Sequence, residues 1–566
     1  MEREIRKTIS RPPVPLMTAA ALLLVFLALT SFIAYKKNST WDEPAHILSG
    51  WAYLTRGTDY LSPLHHPVLG RSINASIPAA LLDLDFNAGV RPEEEPGSDF
   101  FPYSVKFLYK NKSPGMTILF LSRFSNILLG MMLGIYLFKW AREVWGDNGA
   151  MLSLFLYALC PNILAHSSLA TTDISLTAFF FISSYYLYKS ASSGISIQNT
   201  ALAGVFLAFA FAAKHTAFLL VPVFIASFVL RFRRDNDKRK VILSYAAIIL
   251  IVFTVIWAIY GFRYRMDGPA YAPLFWNRFL GSFFEPLFTF LREWKFLPEA
   301  YLYGVLGVIS GAGRGKSAFL MGQYSTSGWW YYFLTAFLIK TPVTVFVFLT
   351  ASVLYVFFDK TLRPAILWAG LPALLIFAVM STQKVNIGLR HILPVYPFIF
   401  LLCGYVTRIR TKCISTAKII FASFIVWYAY AAASITPHQL AYFNEFIGGP
   451  KNGYKYLVDS NLDWGQDLAG LKDYMNEKNI KNIKLAYFGL NDPADFGIVY
   501  DYMPSYAIVN PKNVNESVKL EGWFGISATM LQGVYLNDKD LYAIFRDMPP
   551  VDVIGYSIFV YKLPSS

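Results

Sequence analysis

Two adjacent carboxylates stand in the run Thr40-Trp41-Asp42-Glu43-Pro44-Ala45-His46, just beyond the first long apolar stretch. A carboxylate within hydrogen-bond reach of a hydroxyl can accept its proton as a new bond forms, so Asp42 and Glu43 are candidate general bases. The same residues also spell a helix start, because Thr40 followed three residues on by Glu43 is a capping box. The box uses Glu43 but does not need Asp42. Downstream, Leu64-His65-His66-Pro67 supplies a pair of imidazoles. With His46 they could touch a substrate, and with Asp42 or Glu43 they leave room for a divalent cation. A turn with exposed imidazoles explains them equally well, and the chemistry requires no metal. Asp83-Leu84-Asp85 has the form of a metal-binding pair, but it ends an apolar helical stretch and reads as surface. Asp173 opens an apolar segment, where an acid complements the helix dipole. It must also lie near the membrane plane, where a carboxylate usually has a partner or a task.

The cations are informative because of where they fall. Lys214-His215 lies at a turn between two apolar segments, Lys340-Thr341-Pro342 interrupts a long apolar run, and Arg390-His391 opens another. Each could snorkel to lipid headgroups. Together Lys214, Lys340, Arg390 and His391 could instead hold a phosphate, for which a guanidinium offers a planar fork of donors. The run Gly311-Ala312-Gly313-Arg314-Gly315-Lys316-Ser317 looks like a nucleotide-binding loop. It has Ser310 where the pattern needs glycine and lacks a leading strand, so that reading is rejected. Sequons at Asn38, Asn74, Asn111 and Asn515 carry meaning only in a secretory pathway.

These residues need elements to hold them. The chain has 566 residues, 55% hydrophobic and 15% charged, with a mean hydropathy of +0.41. That excludes disorder, collagen, coiled coil and a disulfide scaffold, and argues against an ordinary soluble enzyme. The excess of 50 basic over 36 acidic residues is expected in cytoplasmic loops rather than on a nucleic-acid surface. Cys160, Cys403 and Cys413 fall in or beside apolar stretches without metal spacing. About eleven segments are apolar and long enough to be candidate spans: 14–35, 117–138, 149–166, 172–188, 200–213, 216–230, 241–260, 331–358, 364–380, 392–407 and 414–434. Threaded in alternation, they put the basic runs after 138, 230, 358 and 407 on one side, with a cytoplasmic N-terminus. The stretches 36–115, 261–327 and 436–566 then share the outer side, with every candidate above. Residues 1–435 would be the membrane catalytic domain. Residues 436–566 read as a small α/β extracytoplasmic domain, with strands at 456–458, 483–488, 523–531 and 553–561 and a helix at 466–478.

Taken together, Asp42-Glu43, His65-His66-Pro67, Asp173, Lys214 and Arg390-His391-Ile392-Leu393-Pro394-Val395-Tyr396-Pro397 resemble the GT-C superfamily of membrane glycosyltransferases. The likeness is to the branch holding the protein O-mannosyltransferases (family 39) and the lipid A aminoarabinose transferase. Tyr442–Pro450 and Val458–Asp467 look like a tail found in bacterial members; Asp463 and Gln466 also read as a capping pair, and the run is given no catalytic role. The resemblance implies transfer of a sugar from a polyprenyl-phosphate carrier to an acceptor lipid, glycan or protein at the outer face, with inversion at the anomeric carbon. It implies a bacterial inner (plasma) membrane location, Asp42 as general base, and the cations as partners of the departing phosphate. The late β-trefoil domain of many family mannosyltransferases has no counterpart here, which weakens protein O-mannosylation as the specific activity. A lipid or solute transporter is the alternative class, though no internal repeat supports it. A scaffold would need neither the acids nor the cations.

Overall fold

The computed structural model describes all residues except 1–13, 60, 62–65, 89–99, 193, 267–282, 356–362, 410–413, 507–519 and 565–566. Over the described residues, the apolar segments expected to span are mostly helical, some with breaks. Among the described residues, five helices are long and apolar enough to cross a membrane on their own: Val14–Lys36, Gly115–Ala158, His215–Arg234, Lys238–Ile259 and Ile414–Ser434. A sixth crossing is the pair Tyr332–Lys340 and Val343–Tyr355, bent by 108°. Shorter apolar helices lie at Ile197–Ala213, Ile366–Met380 and Val395–Arg408. Large aliphatic side chains stand exposed on these helices, among them Leu24, Leu250, Leu374, Ile419 and Val426. In water such an array would be untenable, whereas lipid accepts it. The protein is an integral membrane protein.

Two features explain how the helices depart from the simple spans. Segments 117–138 and 149–166 are joined by a break rather than a loop. Gly115–Ala158 runs through Gly146 at φ 80°, a left-handed conformation that glycine adopts without a Cβ penalty. Farther on, Pro342 cannot donate a backbone hydrogen bond, so the Tyr332–Lys340 helix ends there and turns sharply.

Two short helices, Glu43–Arg56 and Val68–Leu81, pack against each other between the first and second long helices. Their approach is tight, since a Cβ on Gly50 would lie 2.0 Å from the Arg71 carbonyl oxygen. Beyond residue 436 the chain builds a five-stranded mixed sheet. Its spatial order is Tyr500–Tyr502, Ile483–Ala486, Gly522–Ser527, Ile558–Leu563, Asp552–Ile554. The first three strands are parallel neighbours and the last two pair antiparallel. The Leu468–Glu477 helix buries Leu468, Leu471, Tyr474 and Met475 against it.

Three local expectations need correction. Residues 456–458 form no strand; they follow a 3-10 turn, Pro450–Lys455. The strand expected over 523–531 stops at Ser527 and becomes the short helix Ala528–Leu531. The run 553–561 is a hairpin of two strands, not one.

Candidate active site

The first turn after the Val14–Lys36 helix sets the site. The Glu43–Arg56 helix has Asp42 at its cap position, yet the Asp42 side chain makes no cap hydrogen bond. Glu43 does reach back to Thr40, accepting from its backbone N–H at 2.8 Å and its hydroxyl at 3.0 Å. Asp42 is thereby left free to point elsewhere. It accepts from Arg390 Nη1 at 2.6 Å, an ion pair joining residues 348 apart in sequence. The same Nη1 lies 4.0 Å from Asp173 Oδ2, and Lys214 Nζ donates to Asp173 Oδ1 at 2.6 Å. Asp42, Arg390, Asp173 and Lys214 therefore form one chain of alternating charge. Side-chain exposure is 25% at Asp42, 10% at Arg390, 1% at Asp173 and 11% at Lys214.

The elements explain why these groups converge. Lys214 ends the Ile197–Ala213 helix in an extended conformation. Asp173 starts the Asp173–Ser192 helix, and Thr171 Oγ1 donates to it at 3.1 Å. Arg390 sits in a single 3-10 turn, Leu389–Ile392, before the Val395–Cys403 helix. The turn is fixed by the C-terminal part of the chain. Leu389 N donates to Asn461 Oδ1 at 2.9 Å, and the Arg390 guanidinium lies 4.2 Å from the Trp464 ring centroid. Gly388 permits this approach, since a Cβ there would meet Ser460 Oγ at 2.1 Å. The segment before Asp42 is held from the same direction. Trp41 N donates to Trp464 O at 3.0 Å, and Asn38 Nδ2 to Gly465 O at 2.7 Å.

Burial pushes the Asp42 carboxyl up, but Arg390, His46 and Lys316 outweigh it and leave it below its usual value. Burial holds the His46 imidazole down at about 4, so it is neutral near pH 7. Its ring meets that of His66 edge-on at 5.0 Å, and His66 Nδ1 lies 3.4 Å from Thr172 Oγ1. His65 lies outside the described residues. No group of three or more His, Cys, Asp or Glu placed to hold a metal occurs among the described residues. Asp83 instead pairs with exposed Lys112, and Asp85 closes a turn.

Two of the expected site residues have other work. The Glu43 carboxylate is fully buried and saturated. Arg123 grips it with Nε and Nη2, each at 2.7 Å, and Ala170 N donates at 2.7 Å in addition to the bonds from Thr40. No lone pair is left for a substrate, so Glu43 is a structural anchor and not a base. Lys340 is likewise spent. Its three N–H groups go to the carbonyls of Leu440, Tyr442 and Asn461 at 2.9, 3.0 and 2.5 Å. It ties the bent helix pair to the C-terminal segment, and no donor remains for a phosphate.

In contrast, Arg390 Nε and His391 Nε2 are buried without a hydrogen-bond partner among the described residues. Sixteen such side-chain atoms occur among the described residues, and these two stand apart because they belong to the turn that pairs with Asp42. Sequence reasoning missed several neighbours. Lys316, from the rejected glycine-rich run, is exposed yet close enough to act on the charges of Asp42, His391 and Asp459. As a cation in a stretch expected on the outer side, it carried the same signal as Lys214. Arg123, Trp464 and Asn461 gave no local signal. Asp463 and Gln466 are not a capping pair. Asp463 accepts from Thr529 N at 2.8 Å and Gln466 from Trp464 N at 2.8 Å.

Several solved structures are similar at low identity. ArnT from Cupriavidus metallidurans bound to undecaprenyl phosphate is 13% identical, covering 96% of this chain and 97% of that one at a TM-score of 0.43. The Pmt1-Pmt2 protein O-mannosyltransferase complex of S. cerevisiae bound to the sugar donor is 16% identical, covering 46% and 36% at 0.34. The archaeal oligosaccharyltransferase AglB from Archaeoglobus fulgidus, in complex with an inhibitory peptide and a dolichol-phosphate, is 12% identical, covering 73% and 55% at 0.43. No curated protein matches the chain in sequence. Residues 118–257 match the family model described as dolichyl-phosphate-mannose-protein mannosyltransferase. Over these helices the chain is similar to the polyprenyl-phosphate-dependent glycosyltransferases of the GT-C superfamily.

Proposed function

We propose that the protein is an inverting glycosyltransferase that moves a sugar from a polyprenyl-phosphate carrier to an acceptor hydroxyl at the extracytoplasmic membrane face. The observation that carries this reading is the Asp42–Arg390 pair at 2.6 Å, beside the buried nitrogens Arg390 Nε and His391 Nε2, which have no protein partner among the described residues. The family description supports it by naming a polyprenyl carrier, dolichyl phosphate, and a sugar.

The site supplies both halves of the reaction. The carrier phosphate binds at Arg390, with the free Nε, His391 Nε2 and the remaining N–H groups of Lys214 available to its oxygens. In doing so it competes with Asp42 for the guanidinium. Asp42 then loses the partner that holds its affinity for protons down and becomes a better base. The acceptor hydroxyl gives its proton to Asp42 as its oxygen attacks the anomeric carbon. The bond from that carbon to the phosphate oxygen breaks with inversion, and the electron pair leaves on the phosphate. Arg390 and Lys214 stabilise the charge that develops there, in a site largely shielded from water. Asp173 orients both cations, since it touches Lys214 and lies within 4.0 Å of Arg390. Direct displacement with one base needs no covalent sugar on the protein.

The test uses membranes holding the full chain, supplied with polyprenyl phosphates carrying radiolabelled mannose, glucose or galactose. Wild-type membranes transfer label to an acceptor, and Asp42→Asn membranes with equal protein do not. Transfer by Asp42→Asn at near the wild-type rate would remove Asp42 from the mechanism.

A further inference from the structure

Four aromatic rings stack beside the site, and the first belongs to Trp41, the residue before Asp42. Its ring lies 5.1 Å from Phe488 and 5.5 Å from Tyr506, at interplanar angles of 23° and 18°. Tyr535 continues the stack, 4.7 Å from Tyr506 and 5.4 Å from Phe488. Phe488 is buried and gives the stack its footing, whereas Tyr506 is 45% exposed. The Tyr535 hydroxyl donates to the Asp459 carboxylate.

Asp459 has several unusual properties. Its backbone is left-handed, at φ 56°, a conformation that aspartate tolerates better than most residues. It is buried without a lysine or arginine bonded to it among the described residues. Its charge acts instead across space on Arg390 and Lys316. Ser460 N and the Tyr535 hydroxyl occupy one acceptor position on each carboxylate oxygen, and an ionised carboxylate offers about four. The next residues fasten the Arg390 turn through Asn461 and Trp464. Asp459 is thus anchored beside the phosphate-binding guanidinium but is not its ion-pair partner.

A pyranose attached to a phosphate has two kinds of surface. Its C–H face packs on aromatic rings and its hydroxyls donate to carboxylates. The sugar of the carrier is one bond from the phosphate, so it must lie next to Arg390. Asp459 acts across space on Arg390, and Trp41 directly precedes Asp42, so a carboxylate and an aromatic surface both adjoin the clamp. We infer that Asp459, held by Tyr535, and the exposed face of the Trp41–Tyr506 stack form the subsite for the donor's sugar ring. The inference rests on the glycosyltransferase reading and adds to it the residues that recognise the transferred sugar.

The test is equilibrium binding to the full chain in lipid nanodiscs. The probes are undecaprenyl phosphate alone and the same carrier bearing mannose, glucose or galactose. Wild type binds the bare carrier and binds one of the glycosylated carriers more tightly. Asp459→Asn keeps the shape and the left-handed turn, and Tyr506→Leu removes only the exposed ring. Both variants bind the bare carrier no more weakly than wild type. Both lose roughly tenfold or more for the preferred glycosylated carrier, the scale of one hydrogen bond to a charged group. Arg390→Ala loses all four probes.

Wild-type preference retained in both variants overturns the subsite. So does the absence of preference among the four probes in wild type, although the carrier reading then stands. A raised acceptor KM with unchanged donor affinity in the variants overturns the donor assignment and makes the wall an acceptor surface. Failure of wild type to bind any carrier overturns the glycosyltransferase reading itself, and this inference with it.

Discussion

The adjacent acids Asp42 and Glu43 should fail in opposite ways, and the contrast tests how the site is built. Glu43→Gln keeps the size of the side chain and removes its charge. In the native protein that charge is fully buried and paired with Arg123, itself without exposed surface. Arg123 also donates to the carbonyls of Ala34, Lys37 and Asn38 at 2.8, 2.6 and 2.9 Å, so it joins the end of the first helix to the second long one. Removing one partner of a buried ion pair costs about 3–5 kcal/mol, because the other charge is left uncompensated. The glutamine can still accept from one or two of the five donors, which favours the lower end of that range. Asp42→Asn disturbs a pair whose acid is a quarter exposed and whose Arg390 retains Asp173 nearby. Its stability cost should be smaller than that of Glu43→Gln. Thermal unfolding in detergent, followed by tryptophan fluorescence and by aggregation, measures both. Glu43→Gln should unfold several degrees below wild type and Asp42→Asn closer to it. A Glu43→Gln protein as stable as wild type would refute the assignment of Glu43 as an anchor.

Three further outcomes follow from the same contacts. Asp42→Asn should lower turnover by roughly 10²–10⁴-fold, the usual worth of a general base, with donor binding retained; equal loss of binding and turnover in a transfer assay would contradict this. Lys340→Met leaves three buried carbonyls without their donor and should loosen the C-terminal segment. Limited proteolysis should then cut near residues 440–461 faster than in wild type, and unchanged cleavage would count against the anchor. Burial pushes the Asp463 carboxyl up to about 7, against 3.8 ordinarily. For an acid with a raised value, the folded state favours the proton. Its stabilising contribution is complete below about pH 4 and is lost as pH rises through about 7. Asp463→Asn should therefore gain stability relative to wild type between pH 5 and pH 8, and parallel unfolding curves at the two pH values would refute it.

Much of the site was legible because charged residues near a membrane stand out. Asp42, Asp173, Lys214 and Arg390 each break an apolar pattern on what topology makes a common side, and the structure brings all four together. The division of labour between neighbours was not legible. Which of Asp42 and Glu43 faces inward depends on Arg123, some 80 residues away. Lys340 looked like Lys214 in sequence, but its donors are taken by carbonyls 100 or more residues on. The run 458–467 looked like a loop with a helix cap. Its role appears only when Asn461 and Trp464 meet the Arg390 turn, a contact between segments with no shared local pattern. Local patterning carried the C-terminal helix and the strand near Ile483, while short strands such as Asp552–Ile554 depend on their hairpin partners.

A cryo-EM structure of the full chain with undecaprenyl phosphate bound tests the central claim most directly. The account predicts phosphate oxygens within hydrogen-bond distance of the Arg390 guanidinium and His391 Nε2, with the Asp42 carboxylate displaced from Arg390 but still facing the phosphate. Phosphate density away from Arg390, or an Asp42–Arg390 pair left intact while the carrier occupies another cavity, would contradict it.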